Sequence, residues 1–279
     1  MKATKSYPIV LTIAGSDSSG GAGIQADLKT FSALGIYGAT AITAITAQNT
    51  QGVHAQFPLP AQMVYDQIVA VVEDLSPSIL KIGMLSNVEI ANAVADALER
   101  YSLPVILDPV MVSSSGHRLL SIEAQEVIKQ RLLPMATLLT PNIPEMEALT
   151  ELPLKSLEQK SAAAQYLIDR GAQAILLKGG HEEGDAKRDI LYQKTGDGIT
   201  VSYFTSPTIQ TQNIHGTGCT LSAAIAAFMA RGGSLEEAVG AAKEYITKAI
   251  RAGADIFVGH GHGPVNHLFN PQKLLIHEE

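Results

Sequence analysis

The chain has 279 residues, of which 46% are hydrophobic and 17% are charged. This composition is sufficient for a large buried core and excludes a disordered chain. The formal net charge of −7, without a run of basic residues, makes nucleic acid and anionic membrane surfaces poor candidates as partners. We expect a cytoplasmic protein without a membrane span, because no apolar window approaches the length of a membrane-crossing helix and the single cysteine, Cys219, excludes an intrachain disulfide.

Short apolar runs alternate with helical patterns along the chain. Runs without polar alternation are typical of strands that are buried on both faces, as in a parallel sheet. Such strands are predicted at residues 9–13, 79–82, 105–107, 137–139 and 174–177. Helical spacing of apolar residues lies between them, for example at Ile24, Leu28, Phe31 and Leu34. The alternation predicts a doubly wound α/β domain that spans residues 1–279.

Two stretches depart from this alternation. Residues 188–204 are predicted to form a hairpin whose turn is Thr195 to Gly198. The C-terminal part is rich in helices, predicted at residues 217–230 and 235–252, and the second is started by Ser234. The last 25 residues or so, from Val258, are expected to be irregular.

The segment from Asn213 to Leu221 is the strongest candidate for a phosphate site. Gly216 and Gly218 precede the apolar face of a helix, so backbone amides and the helix N-terminus can converge on one anion. Cys219 lies in the first turn of this helix, where we expect a lowered pKa and partial thiolate character. Such a thiolate could accept the proton of an attacking hydroxyl. The alternatives are a plain glycine cap and a cysteine that only packs.

The glycine-rich loop at residues 14–23 follows a strand and opens a helix. Its Gly-Ala-Gly pattern at residues 21–23 resembles a dinucleotide fingerprint, but no acidic residue follows about 20 positions later. The chain also lacks the glycine-lysine pattern of a P-loop. The loop is therefore interpreted as a wall against which a flat ligand lies close to the backbone.

Polar residues follow three of the predicted strands. Asp108 follows the strand at 105–107, Asn142 and Glu145 follow the strand at 137–139, and Lys178 follows the strand at 174–177. Ligands of open parallel sheets bind at the carboxyl ends of strands, so these side chains are candidates for handling Mg²⁺ and phosphate. Taken singly, each could equally be a helix cap or a solvated charge.

Taken together, these motifs resemble one family. The segments that carry the resemblance are residues 14–31, 43–53, 81–85, 108–120, 138–149, 176–181 and 215–227. In this order they resemble the hydroxymethylpyrimidine/phosphomethylpyrimidine kinases of thiamine biosynthesis, in the ribokinase superfamily. The resemblance extends over about residues 8–268. It implies a ribokinase-like α/β fold with a central, mostly parallel sheet flanked by helices, a homodimer, and Mg-ATP as cosubstrate.

The resemblance also implies roles for individual residues. It implies that the ring of a small heteroaromatic alcohol contacts Ala22, Asp27, Gln48, Met84 and Val110. ATP and its phosphates are expected near Asn142, Thr217 and Lys178, with Asp108 and Glu145 acting on Mg²⁺ mainly through water. The catalytic group is expected to comprise Gly216, Gly218 and Cys219, and residues 110–118 resemble the family's lid.

Cys219 does not settle the substrate, because some pyridoxal kinases resemble this branch and also have cysteine at this position. A pyridoxal kinase on the same fold therefore stays open as an alternative. A binding protein that only senses its ligand is disfavoured, since such a protein needs no catalytic group beside a phosphate site.

Overall fold

A nine-stranded sheet with helices on both faces organises the chain. The computed structural model describes residues 5–112, 116, 119–180, 184–196 and 198–278. The sheet strands are β2 (Ile9–Asp17), β3 (Tyr37–Asn49), β4 (Gly52–Pro58), β5 (Ile79–Ile82), β6 (Val105–Leu107), β7 (Leu138–Leu139), β8 (Ala174–Leu177), β9 (Ala186–Thr195) and β10 (Gly198–Pro207). The helices are α1 (Gly23–Ala33), α2 (Ala61–Leu75), α3 (Val88–Leu98), α4 (Ile122–Val127), α5 (Ile143–Thr150), α6 (Leu157–Ile168), α7 (Thr217–Ala230) and α8 (Leu235–Gly253).

The strand order of the sheet is β10-β9-β8-β7-β6-β5-β2-β3-β4. The six central strands, from β8 to β3, are parallel, and the outer strands β9, β10 and β4 are antiparallel to their neighbours. The predicted α/β class with a mostly parallel sheet is therefore confirmed. The predicted hairpin is also confirmed, since β9 and β10 pair from Thr195 and Gly198 outward.

Two apolar cores cover the two faces of the sheet. Helices α2 to α6 pack on one face and α1, α7 and α8 pack on the other. Successive strand residues serve the two cores alternately: Leu80 and Ile82 of β5 belong to the first core and Ile79 to the second. This alternation explains why the central strands are continuous apolar runs.

Two strand pairings were not expected. Strands β3 and β4 form an antiparallel hairpin at one edge of the sheet, although its small and polar residues lack a clean strand pattern. The chain ends also meet, because β1 (Lys5–Ser6) pairs with β11 (His277–Glu278). Most of the segment after Val258 is irregular, as predicted.

A buried ion pair links α1 to β5 beneath the sheet's carboxyl edge. Lys81 Nζ lies 2.8 Å and 3.0 Å from the two carboxylate oxygens of Asp27, and both side chains are fully buried. Thr12 Oγ1 donates a third hydrogen bond to Asp27 at 2.6 Å. A buried pair with satisfied hydrogen bonds tolerates desolvation, whereas either charge alone does not.

We therefore expect Lys81→Met to destabilise the protein by about 3–5 kcal/mol, because it leaves the Asp27 carboxylate buried without its cation. The double variant Asp27→Leu with Lys81→Met should recover most of this loss. The measurement is the free energy of unfolding in urea. As a control, Arg100→Met removes a pair with Glu73 that is largely exposed and should change stability little. A stability of Lys81→Met close to that of the parent chain would show that this pair does not hold the fold.

Candidate active site

A cavity of about 750 Å³ opens at the carboxyl edge of the central strands. Its lining includes the end of β2 and the residues that follow β6, β7 and β8, where the sequence predicted a site. Most of the candidate residues line it: Ala22, Gln48, Met84, Asp108, Val110, Asn142, Glu145, Lys178, Gly216, Thr217, Gly218 and Cys219. Asp27 is the exception among the candidates.

The tip of α7 forms one wall of the cavity. Gly216 caps the helix in the left-handed region, with a φ of 80°. A Cβ added there would lie 1.8 Å from the carbonyl oxygen of Gly21, so the tip packs directly against the glycine-rich loop. A Cβ on Gly218 would lie 3.5 Å from Lys178 Nζ and 3.8 Å from Asp108 Oδ2. The amide-rich helix tip therefore faces the loop on one side and a charged centre on the other, which is suitable geometry for an anion.

The charged centre consists of Lys178, Asp108 and Glu145. Lys178 Nζ lies 2.8 Å from Asp108 Oδ1 and 3.7 Å from Glu145 Oε2. Thr140 Oγ1 and Ser222 Oγ each donate to Asp108 at 3.1 Å. Burial opposes both charges, but the carboxylates raise the pKa of Lys178 and the cations lower the pKa of Asp108. A fixed ammonium–carboxylate pair thus stands beside the helix tip at neutral pH.

Asn142 and Glu145 also start α5 as a capping box. The Asn142 side chain accepts from Glu145 N, and Glu145 Oε2 accepts from Asn142 N, both at 2.8 Å. The cap interpretation is therefore correct, and it coexists with the location of both residues on the cavity wall. Burial raises the pKa of Glu145 to about 6, although Lys178 opposes this.

The expectation for the Cys219 thiol was wrong. Cys219 lines the cavity in the first turn of α7, but burial raises the pKa of its thiol to about 11, and the nearby Lys81 charge only partly offsets this. The helix tip alone predicted a lowered pKa, whereas desolvation of the sulfur and the neighbouring Asp27 and Asp108 carboxylates raise it. The thiol is therefore protonated at neutral pH.

The expected ring contact of Asp27 is not supported by its position. Its side chain is fully buried, its carboxylate is engaged by Lys81 and Thr12, and it does not line the cavity. The sequence showed an acid near the glycine-rich loop but not that Lys81, 54 positions away, is its partner.

Another part of the cavity wall is apolar and adaptable. Met84 packs with Ala44, Leu119 and Val110. A Cβ on Gly15 would lie 3.0 Å from Met84 Sδ, so the absence of a side chain at Gly15 leaves room for the thioether. Gln48 supplies the carboxamide of this wall. A flat ring with polar edges matches this combination of surfaces.

Several residues of the cavity were not predicted. Asp17 and His215 lie in contact, 2.8 Å apart, although 198 positions separate them. At the other end of the cavity, Lys243 Nζ pairs with Asp189 at 2.7 Å, and Asp189 accepts from Gly179 N at 2.9 Å. The hairpin prediction placed Asp189 on a strand, but only the fold shows that this strand borders the site.

The lid prediction at residues 110–118 falls mostly outside the described residues. Its flanks are described: Leu119 N donates to Met111 O at 2.8 Å. The glycine–histidine segment near the C-terminus packs on Thr50, which bonds to the amides of Gly261 and His262.

An α/β fold with a helix tip suited to an anion, beside a lysine–carboxylate centre, is the arrangement expected of a small-molecule phosphotransferase. The family model described as phosphomethylpyrimidine kinase matches residues 17–266. The chain belongs to the phosphomethylpyrimidine kinase family, and it is a kinase.

Individual relatives agree with this assignment. The chain is 49% identical to a hydroxymethylpyrimidine/phosphomethylpyrimidine kinase of Rhizobium meliloti, over 93% of this chain and 96% of the relative. The crystal structure of a phosphomethylpyrimidine kinase from Clostridium difficile is 44% identical, with a TM-score of 0.76 over 87% of this chain and 99% of the other. A pyridoxal kinase from Staphylococcus aureus, solved with pyridoxal, is 35% identical, with a TM-score of 0.85 over 98% of this chain and all of the other. The ribokinase-like fold is thereby confirmed.

In the part of the chain that the structure describes, no helix is both long and apolar enough to cross a membrane.

The raised pKa of Cys219 predicts slow alkylation at neutral pH. Because the thiolate is the reactive form, the rate with iodoacetamide should keep rising well past pH 9, toward the pKa of about 11. The chain has one cysteine, so mass spectrometry follows this site alone. The urea-unfolded chain is the control and should level off near the ordinary thiol pKa of about 8.5. If the alkylation rate of the folded protein levelled off below pH 8, the raised pKa of Cys219 would be contradicted.

Proposed function

We propose that this kinase transfers the γ-phosphate of ATP to the hydroxymethyl group of 4-amino-5-hydroxymethyl-2-methylpyrimidine, and then phosphorylates the monophosphate to the pyrophosphate, in thiamine biosynthesis. One domain, residues 1–279, carries both reactions. The observation that carries the proposal is the packing of the α7 tip against the glycine-rich loop and beside Lys178 and Asp108. The names of the relatives support the choice of substrate.

In this proposal the ring lies against Ala22, Gln48, Met84 and Val110. ATP occupies the other half of the cavity, with its phosphates near Asn142, Lys178 and the amides of residues 216–219. The two halves meet at Cys219, because the helix tip borders both the glycine-rich loop and the charged centre. The hydroxyl oxygen attacks the γ-phosphorus as the bond to ADP breaks, and the hydroxyl proton leaves late, to an oxygen of the transferred phosphoryl group.

The carboxylates of Asp108 and Glu145 fit a role with Mg²⁺. Magnesium in kinases keeps several waters and is bound by one or two carboxylates plus the phosphates of the nucleotide, and two buried acids beside Lys178 supply that donor set. Bound there, Mg²⁺ would neutralise phosphate charge. Lys178, already paired with Asp108, lies beside the helix tip, where its ammonium can contact the transferring phosphoryl group.

The neutral thiol of Cys219 indicates an orienting role. Phosphoryl transfer passes through a loose transition state, so placing the hydroxyl in line contributes more than a strong base. The sulfur can accept a hydrogen bond from the hydroxyl and direct its oxygen toward the phosphorus. In the second reaction the same tip amides donate hydrogen bonds to the phosphate already on the substrate.

We further propose that the enzyme is a cytoplasmic homodimer. The edge strand β4 exposes Phe57, which is 66% accessible, and its neighbour β3 exposes Ile45. Apolar groups at an unpaired sheet edge favour coverage by a second chain. The cytoplasm provides ATP and keeps Cys219 reduced.

A turnover assay tests the substrate. The enzyme is supplied with Mg-ATP and with hydroxymethylpyrimidine, its monophosphate or pyridoxal, and ADP release is measured. We expect the highest kcat/KM with the two pyrimidines. Pyridoxal kinase is the second candidate, favoured by the match to the S. aureus enzyme over 98% of this chain; a higher kcat/KM with pyridoxal would establish it instead. An ATP consumption rate that is the same with and without each of the three compounds would exclude both candidates.

Cys219→Ala should lower kcat about a hundredfold, because the acceptor hydroxyl loses the group that aligns it. The KM for ATP should change little, since the nucleotide phosphates are held by Lys178 and backbone amides. Steady-state kinetics with each substrate varied in turn separates the two effects. Near-full kcat would leave Cys219 as a packing residue only.

Lys178→Ala should reduce kcat/KM for ATP by about tenfold or more, as expected for loss of a charged hydrogen bond. The unpaired Asp108 would then also repel the phosphates. Lys155→Ala, at an exposed lysine, is the control and should have parental kinetics. Unchanged nucleotide kinetics in Lys178→Ala would remove Lys178 from the ATP site.

A further inference from the structure

Asp17, His215 and Gln48 form a hydrogen-bonded chain along the wall of the cavity. His215 Nε2 lies 2.8 Å from Asp17 Oδ2 and 3.3 Å from the Gln48 amide nitrogen. Asp17 and His215 are 3% and 6% exposed, so water does not replace these contacts. All three residues line the cavity.

Asp17 determines which nitrogen of His215 carries a proton. Its carboxylate accepts from the amides of Ser19, Gly21 and Ala22 and from the Ser19 hydroxyl, at 2.7–3.1 Å. Burial alone would raise the pKa of Asp17, but the hydrogen bonds from His215 and this loop lower it to about 2. An ionised carboxylate can only accept, so the His215 nitrogen that faces it bears a hydrogen.

That hydrogen also determines how the Gln48 amide is turned. Gln48 lies between His215 and Thr46, whose Oγ1 is 3.2 Å from Gln48 Oε1. Thr46 has one hydroxyl proton, which it donates to Ser16 O at 2.9 Å. Gln48 Oε1 therefore has no donor, and the amide N–H of Gln48 faces the ring N–H of His215. A half-turn of the amide exchanges its nearly isosteric oxygen and nitrogen. Oε1 then becomes the longer acceptor, at 3.3 Å, of a bifurcated hydrogen bond from His215 Nε2, whose shorter acceptor is Asp17 Oδ2 at 2.8 Å, and the amide nitrogen donates to Thr46.

We propose that Asp17 and His215 are positioning residues that hold the Gln48 amide in this one orientation and so make the cavity selective for the order of donor and acceptor on the ring. This deepens the proposed function, since it takes Gln48 to face the ring. A 4-aminopyrimidine presents an amino donor beside a ring-nitrogen acceptor, and the 4-oxo analogue presents the reverse. A held amide matches one order, whereas a free amide can turn to match either.

The test compares kcat/KM for 4-amino-5-hydroxymethyl-2-methylpyrimidine and for its 4-oxo analogue. The parent enzyme should prefer the amino compound, and His215→Leu, which removes the donor, should lower that preference about tenfold, as for the loss of one hydrogen bond. His215→Gln is the matched variant: its side-chain N–H reaches the same region and should keep most of the preference. A preference unchanged in His215→Leu, or lost equally in both variants, would overturn the proposal.

A second measurement needs no substrate. In unliganded protein labelled with ¹⁵N-histidine, long-range ¹H–¹⁵N spectra report which imidazole nitrogens are protonated, and the signal missing from His215→Gln identifies His215. We expect a proton on Nε2 at neutral pH; a bare Nε2 would refute the hydrogen-bond chain. If Nε2 is protonated but the parent enzyme phosphorylates neither pyrimidine, the proposed substrate is wrong, whereas the hydrogen bonds among Asp17, His215 and Gln48 are still supported.

Discussion

The contact between the backbone of Gly216 and the backbone of Gly21 is the constraint on which the site depends. A side chain at Gly216 would collide with the Gly21 carbonyl, and its φ of 80° is one that glycine adopts readily. The close approach brings the tip of α7 and the glycine-rich loop to the same cavity. Without it, the amides that can hold a phosphate and the wall that can hold a ring would be separated.

Charge in the site is arranged before any ligand binds. The chain is acidic overall, yet the helix tip and Lys178 place amide and ammonium donors side by side, and Asp108 and Glu145 hold the ammonium in place. The Lys81–Asp27 pair lies deeper and remains closed on itself. Fixed charges and dipoles of this kind need little reorganisation when phosphate charge moves between acceptor and donor.

The sequence predicted what local patterns encode and missed what only the fold brings together. Apolar runs such as residues 79–82 and the cap at Ser234 fall where predicted, because each depends on neighbours in the chain. Asp108 and Lys178 are 70 positions apart, but their proximity was predictable because each follows a parallel strand and parallel strands end at one edge of the sheet. No comparable rule joins Asp17 to His215 or Asp27 to Lys81, and the β3–β4 hairpin lacks the alternation that marks an edge strand.

The wrong prediction for Cys219 shows that desolvation has two effects: it disfavours a thiolate and strengthens hydrogen bonds to a bound phosphate. A helix tip favours an anion, but desolvation of the sulfur penalises a thiolate, and desolvation dominates the pKa of Cys219. The low dielectric beside the buried wall strengthens the attraction of the amides and Lys178 for a phosphate. The site is therefore better suited to holding a transferring phosphoryl group than to generating a strong base. For a reaction whose barrier depends on alignment and charge neutralisation, that balance favours a neutral, orienting sulfur.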